Sequence, residues 1–504
     1  MFKKLRFIIS LCFCLLFIQV LSAHAFTYPD RVFFHKPQVK VKKAKYVILL
    51  IGDGMGYWHV DALRRYLNVS KTNMESLRYF GYMTTFMRNS TGEGGLSGEY
   101  WDDPNELGSY DPALGGRTPW EIQPVPAYVD EGATDSAAAG SALASGHKTV
   151  KYALNVVPKP EGYPADEPFT VKYYPTIVDF AEAKGMATGV VTSVPFSHAT
   201  PAAFIAKTQY RKNYGEIARQ MIFSNLDVIM GAGHPYYDDN GNLREEPNFY
   251  YWSRNKGPYI DDEDGEALYE KVVNGVRGRV FVDKKEDFED LADGDGLFHG
   301  GPMPRRVFGL AQVANTLQAS RNIDDGDPSD DWKVGGQAFI TNVPSLETMT
   351  RAALEVLEQD EDGFFVMIEG GAIDWASHAN NMTRMLEEII DFDNAVKAVI
   401  DWVNDPNNGS NWDNTLVVVV ADHETGHLQP LNVTGDEVIK EQCWGLNCEG
   451  WHHHTNSLVP IYAQGVCARA LKAKYDGDIK DNTQIFKVMY QAIERGCYEL
   501  RIPE

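Results

Sequence analysis

Three stretches of the chain are apolar at nearly every position: Lys45–Ile51 (K-Y-V-I-L-L-I), Gly363–Ile368 (G-F-F-V-M-I) and Thr415–Ala421 (T-L-V-V-V-V-A). Runs without polar alternation mark strands covered on both faces, as in parallel sheets. Ala187–Ser193, Leu226–Gly233, Gln337–Thr341 and Val459–Ala463 read as further strands. Between them the apolar period lengthens to that of a helix at Tyr174–Lys184, Ser345–Glu358, Thr383–Val403 and Asn482–Glu494. Ala133–Thr149 (A-T-D-S-A-A-A-G-S-A-L-A-S-G-H-K-T) predicts a buried helix that Thr134 or Asp135 caps. Strands alternating with helices predict an α/β fold: a doubly wound, mostly parallel central sheet with helices on both faces.

Two stretches break this rhythm. Residues 88–130 are Gly-rich and acidic, and predict an irregular lid or insertion. Residues 236–335 are rich in Asp, Asn, Gly, Tyr and Trp, and read as a region inserted at the rim, because strand–helix alternation resumes after it. Their Asp-rich turns do not match an EF-hand loop, so they read as solvated surface. The first residues have the form of a secretory leader. Lys3, Lys4 and Arg6 precede the apolar run Phe7–Leu21 and the Ala23-His24-Ala25 cleavage pattern. The expectation is therefore a leader at 1–25 and one catalytic domain at 26–504, periplasmic or secreted, with no membrane anchor.

The formal charge is −23, and loss of the leader removes three basic and no acidic residues, giving −26. Such a surface repels nucleic acid and anionic membranes, so any phosphate site must be locally positive. Cys12 and Cys14 fall in the leader, leaving Cys443, Cys448, Cys467 and Cys497. An even number in an exported chain suggests disulfides. Three pairings are open; Cys443–Cys448 with Cys467–Cys497 would close a short loop and tie the last strand region to the last helix.

Candidate chemistry gathers at strand ends. Asp53 follows the first apolar run in G-D-G-M-G, a spacing that differs from the dinucleotide-binding G-x-G-x-x-G. Glu369 ends a strand, and Asp374 and His378, four apart, would share a helix face. Asp422 and His423 end another strand, and His452-His453-His454 precede the last. Carboxylates and imidazoles around an apolar sheet rim are costly unless cations join them. Imidazole with carboxylate suits zinc, and carboxylate with hydroxyl suits magnesium. Two zinc ions would hold the attacking and leaving oxygens of an in-line displacement. Ser136, at the start of its helix, is the candidate nucleophile, and Arg211 would fork onto phosphate oxygens.

I-G-D-G-M-G, T-D-S-A-A-A, H-A-T-P-A-A-F with R-K, E-G-G-A-I-D-W-A-S-H, A-D-H-E-T-G and H-T-N-S-L-V-P-I-Y-A occur in that order along most of the chain. In these motifs the sequence resembles the alkaline phosphatase family. The resemblance implies a phosphomonoesterase with two zinc ions and one magnesium, usually a homodimer. It implies that Ser136 forms a phosphoseryl intermediate. Asp374, His378 and His454 would hold the first zinc; Asp53, Asp422 and His423 the second; Asp53, Thr200 and Glu369 magnesium. Arg211 would bind phosphate, oriented by Asp135. His198 and Trp375 stand where some members have Asp and Lys, near the substrate, as in a marine, cold-adapted branch of the family. Phosphodiesterase, sulfatase and non-catalytic phosphate binding are the rival readings.

Overall fold

Tyr46–Gly52 (β1), buried at all seven positions, lies near the middle of a ten-stranded sheet. The computed structural model describes residues 40–88, 110–121, 123, 125–129, 132–158, 170–253, 264–322 and 333–499. The expected leader at 1–25 and residues 89–109 of the expected lid lie outside them, as do 254–263 and 323–332. The sheet and the site lie wholly within one unit, Val41–Cys497.

The other strands are β2 (Tyr79–Thr84), β3 (Ala187–Pro195), β4 (Val228–Ala232), β5 (Val280–Val282), β6 (Val307–Leu310), β7 (Phe364–Gly370), β8 (Thr415–Val420), β9 (Val459–Gly465) and β10 (Lys480–Asp481). Their order across the sheet is β10-β2-β9-β8-β1-β7-β3-β4-β6-β5. Every pairing is parallel except those of β9, which runs against both β8 and β2.

The helices used below are α1 (Tyr57–Leu67), α2 (Ser136–Ser145), α3 (Ile177–Glu182), α4 (Ala199–Ala203), α5 (Tyr214–Phe223), α6 (Leu346–Leu357), α7 (Ala372–His378), α8 (Met382–Asn404) and α9 (Thr483–Glu494). α1, α6, α7 and α8 pack together; α2, α3, α4 and α9 pack together; both groups touch the central strands, so helices cover both faces. Ser345 caps α6, its hydroxyl accepting from the Thr348 N–H at 3.0 Å. α2 is buried along its whole length, and its small residues let it lie close to α4: a Cβ on Gly140 would sit 3.0 Å from that of Ala203.

One expectation is corrected. Gln337–Thr341 is irregular, because side chains rather than a neighbouring strand satisfy its backbone. The Arg321 guanidinium donates to the carbonyls of Gln337 and Ala338, and Gln318 pairs with both backbone groups of Ile340. The inserted region at 236–335 contributes β5 and β6 to the edge of the sheet. The mixed aromatic and polar run Tyr79–Thr84 is a strand that periodicity did not reveal. Cys443–Cys448 and Cys467–Cys497 are both disulfides. Among the described residues, no helix is long and apolar enough to cross a membrane.

Candidate active site

β8, β1, β7 and β3 are parallel neighbours, so their carboxyl ends open on one edge, where such sheets place ligands. Asp53 follows β1, Glu369 ends β7 with α7 just beyond, and Asp422-His423 follow β8. His198 and Thr200 follow β3. β9 enters from the edge that the others leave, so residues just before it reach the same place. A two-residue antiparallel ladder there joins His454–Thr455 to Glu424–Thr425. Gly54 makes the convergence possible: its φ is +71°, and a Cβ would lie 2.9 Å from both the Asp374 Cα and the Thr425 hydroxyl.

Two groups of potential ligands form around one shared imidazole. Asp53, Asp422 and His423 each offer an atom within 4.8 Å of the others, and so do Asp374, His423 and His454. His378 joins the second group, its Nε2 lying 3.4 Å from Asp374 Oδ1 and 3.1 Å from His454 Nε2. The His423 and His454 rings stack at 3.6 Å. The Nδ1 atoms of His378 and His454 lie 2.7 Å from the carbonyls of His452 and Thr134, which leaves both Nε2 atoms facing inward. His452 and His453 are exposed.

The electrostatics fit cations. Asp53 Oδ1, Asp422 Oδ2 and Glu369 Oε1 are buried without a hydrogen-bond partner. Such acceptor-only oxygens are costly to bury alone, and a cation is what would satisfy them. Burial, with Asp422, Asp374 and Glu369 close by, raises Asp53 well above the carboxylate range. Burial, then Asp374, pushes Asp422 up to about 8, and burial pushes Glu369 up to about 7. Asp374 moves the other way: burial opposes ionisation, but His378 and His454 hold it below its ordinary value. Burial, aided by His454 and His378, keeps His423 neutral far below the usual imidazole range.

Ser136 is the first residue of α2, and Asp135 is its cap, accepting from the N–H groups of Ala137 and Ala138. The Ser136 hydroxyl is therefore not engaged in capping, and lies 3.3 Å from His423 Nε2. Asp135 also accepts from Arg211 Nη1 at 2.9 Å and from the Tyr152 N–H at 2.9 Å. Burial works against the Arg211 charge, but Asp135, with Tyr214 and Asp53, outweighs it. The serine and the arginine are thus anchored to one carboxylate.

Thr200 donates to Asp53 Oδ2 at 3.1 Å. Glu369 accepts from the Thr192 hydroxyl of β3. His198 is half-buried, its Nδ1 is buried without a hydrogen-bond partner, and its ring meets that of Trp375 edge-on at 5.4 Å. Burial, then the charge of Arg211, lowers His198 to about 3, so it is neutral.

Sequence reasoning missed Thr192 and Thr425. Thr425 donates to Asp374 Oδ1 at 2.5 Å and lies 3.2 Å from His423 Nδ1, so one hydroxyl orients a member of each group. Its place in A-D-H-E-T-G was the available signal, but a threonine after two ligand-type residues has no chemistry of its own to announce it. Thr425→Val is expected to weaken divalent-metal affinity ten- to a hundredfold, measured by competition with a chromogenic chelator. Unchanged affinity would mean the hydroxyl is incidental.

A sequence model of the family described as alkaline phosphatase matches residues 125–447. Alkaline phosphatase 3 of Bacillus subtilis (strain 168) is 29% identical over 426 residues, covering 82% of this chain and 69% of that protein. Alkaline phosphatase of Escherichia coli (strain K12) is 28% identical over 493 residues, covering 90% and 86%. The solved alkaline phosphatase of the Antarctic bacterium TAB5 shares the fold, with a TM-score of 0.56 at 24% identity over 90% of this chain and 99% of that one. The chain therefore belongs to the alkaline phosphatase family, metal-dependent enzymes that hydrolyse phosphate monoesters.

Proposed function

We propose that hydrolysis runs in two in-line steps through Ser136. The observation that carries this is the Ser136 hydroxyl, released from capping by Asp135 and set beside His423 among buried, unpartnered carboxylate oxygens. In the first step the Ser136 Oγ–P bond forms as the ester P–O bond breaks, and the serine proton ends on the departing alcohol. In the second, water cleaves the phosphoserine, releasing inorganic phosphate and restoring the hydroxyl. Arg211 holds two non-bridging oxygens in its fork, and Asp135 fixes the direction of that fork.

Asp374, His378 and His454 would hold one zinc ion, Asp53, Asp422 and His423 a second, and Asp53, Thr200 and Glu369 a magnesium ion. When bound, these ions supply Lewis-acid charge for the oxygens that become negative during displacement. His423, which belongs to both groups by distance, sets the boundary between the first two positions. His198 is neutral and Trp375 has no charge, so neither adds a carboxylate or an ammonium at the rim. We read the working protein as a homodimeric domain spanning 26–504 and as exported, and the two disulfides support the export.

The decisive comparison is p-nitrophenyl phosphate against its bis ester and p-nitrophenyl sulfate. The monoester is expected to be preferred strongly; higher kcat/KM for either rival would overturn the assignment. A diester offers Arg211 fewer free oxygens. Arg211→Ala is expected to lower kcat/KM for the monoester roughly ten- to a hundredfold, the range of a charge-assisted hydrogen bond. A smaller loss in initial-rate measurements would remove Arg211 from phosphate binding.

A further inference from the structure

A cavity of about 240 Å³ opens at the same edge of the sheet, where β4 and β6 end. Its walls carry Arg244, Asn248, Tyr250, Tyr251 and Asn315. The cavity adjoins the segments of the site described above. Tyr214, three residues beyond Arg211 and the first of α5, packs its ring against those of Tyr250 at 5.4 Å and Tyr251 at 5.1 Å. Ser197, the neighbour of His198, donates its hydroxyl to the Tyr251 carbonyl at 2.7 Å.

The walls are held in place before any ligand arrives. The Asn315 amide donates to both oxygens of Asp239 at 2.8 Å, and its carbonyl accepts from the Tyr251 hydroxyl at 2.7 Å. Asn248 accepts from the Tyr250 N–H at 3.0 Å. Arg244 is half-buried and donates Nε to the Tyr237 carbonyl at 2.7 Å. That bond leaves the two terminal nitrogens without a hydrogen bond or ion pair among the described residues. Asp238, which feels the Arg244 charge, turns its oxygens to Asn240 and Asn242 instead.

An open guanidinium fork on a cavity wall is suited to a bidentate oxyanion. It is notable in a chain of net charge −23, whose long-range field would otherwise repel such a group. We propose that this cavity is a subsite for the alcohol half of the substrate, and that Arg244 takes an oxyanion carried at its far end. The favoured substrates are then phosphate monoesters of alcohols bearing a second anionic group, a carboxylate or a phosphate. The proposal rests on the reading of Ser136 and Arg211 as the reacting end.

The test uses ω-carboxyalkyl phosphates of increasing chain length, each paired with the uncharged alkyl phosphate of equal length. ω-Phosphonoalkyl phosphates form a parallel series that separates a phosphate-type from a carboxylate partner. One length is expected to exceed its uncharged counterpart in kcat/KM by about tenfold, the factor that one charge-assisted hydrogen bond gives. Arg244→Gln is expected to abolish that advantage, and Arg244→Lys to keep part of it. Both variants should hydrolyse p-nitrophenyl phosphate as the parent does. No favoured length in the parent, or an advantage that survives Arg244→Gln, overturns the subsite while p-nitrophenyl phosphate turnover stands. Failure of the parent on p-nitrophenyl phosphate overturns the reacting end and the subsite with it.

Discussion

Ser136→Ala is expected to lower kcat for p-nitrophenyl phosphate by at least ~10³-fold while metal content stays that of the parent. The reason is local. Asp135 caps α2 and alanine is a strong helix former, so the helix is preserved. Asp135 also keeps its bond to Arg211, so phosphate binding survives. What is lost is one hydroxyl, 2% exposed, whose neighbour is His423. Initial rates, metal content by mass spectrometry and acid-stable phosphate labelling of the parent check this together. A variant that retained parental turnover would dismiss Ser136 as nucleophile.

Removing the metal ions with a chelator is expected to abolish activity and to change how stability depends on pH. In the metal-free fold Asp53 is raised, Asp422 lies at about 8 and Glu369 at about 7. A group whose folded pKa is raised contributes its full stability below its unfolded value, near 4 for a carboxyl. It loses that contribution as pH rises through the folded value. Buried histidines act in a different window. His59 and His198, lowered by burial to about 3, and His423, lowered well below its usual range, weaken the fold only as pH drops below about 6.5. Between about 6.5 and 8 the carboxylate slope remains, so the Tm of the stripped protein should fall. Glu388, raised to about 8 by burial and then by Asp391 and Glu387 rather than by a candidate ligand, acts alike in both forms and cancels from the comparison. In the loaded protein ions replace the protons, and their binding strengthens as pH rises. Melting curves at pH 6.5 and 8, with and without chelator, make the measurement; parallel shifts of the two forms would contradict it.

What could be read from the residues, and what could not, follows from how each element is stabilised. β1, β7 and β8 are buried on both faces and so announce themselves as apolar runs. Chemistry at their ends was legible because polar groups stand out after such runs. Gln337–Thr341 misled because its backbone partners are the side chains of Arg321 and Gln318, which no local pattern records. β5 was hidden by its shortness and its half-exposed edge position. β2 was hidden by Gly81, where a Cβ would collide with the Leu471 carbonyl, a contact known only in the fold. The direction of β9 was encoded, though not obviously: its candidate ligand, His454, precedes the strand, whereas those of β1, β7 and β8 fall at or after the carboxyl end. Thr425 required the ladder that brings Glu424–Thr425 to His454–Thr455, a pairing of two residues on each side.

The ligand groups draw on Asp53 near one end of the chain and on His454 near the other, joined through His423. A nascent polypeptide therefore cannot bring both candidate ligand groups together until residue 454 has been synthesised. A chain cut short before the final ladder would acquire the sheet's oily middle with the buried oxygens of Asp53 and Asp422 in place but without His454 to complete the second group.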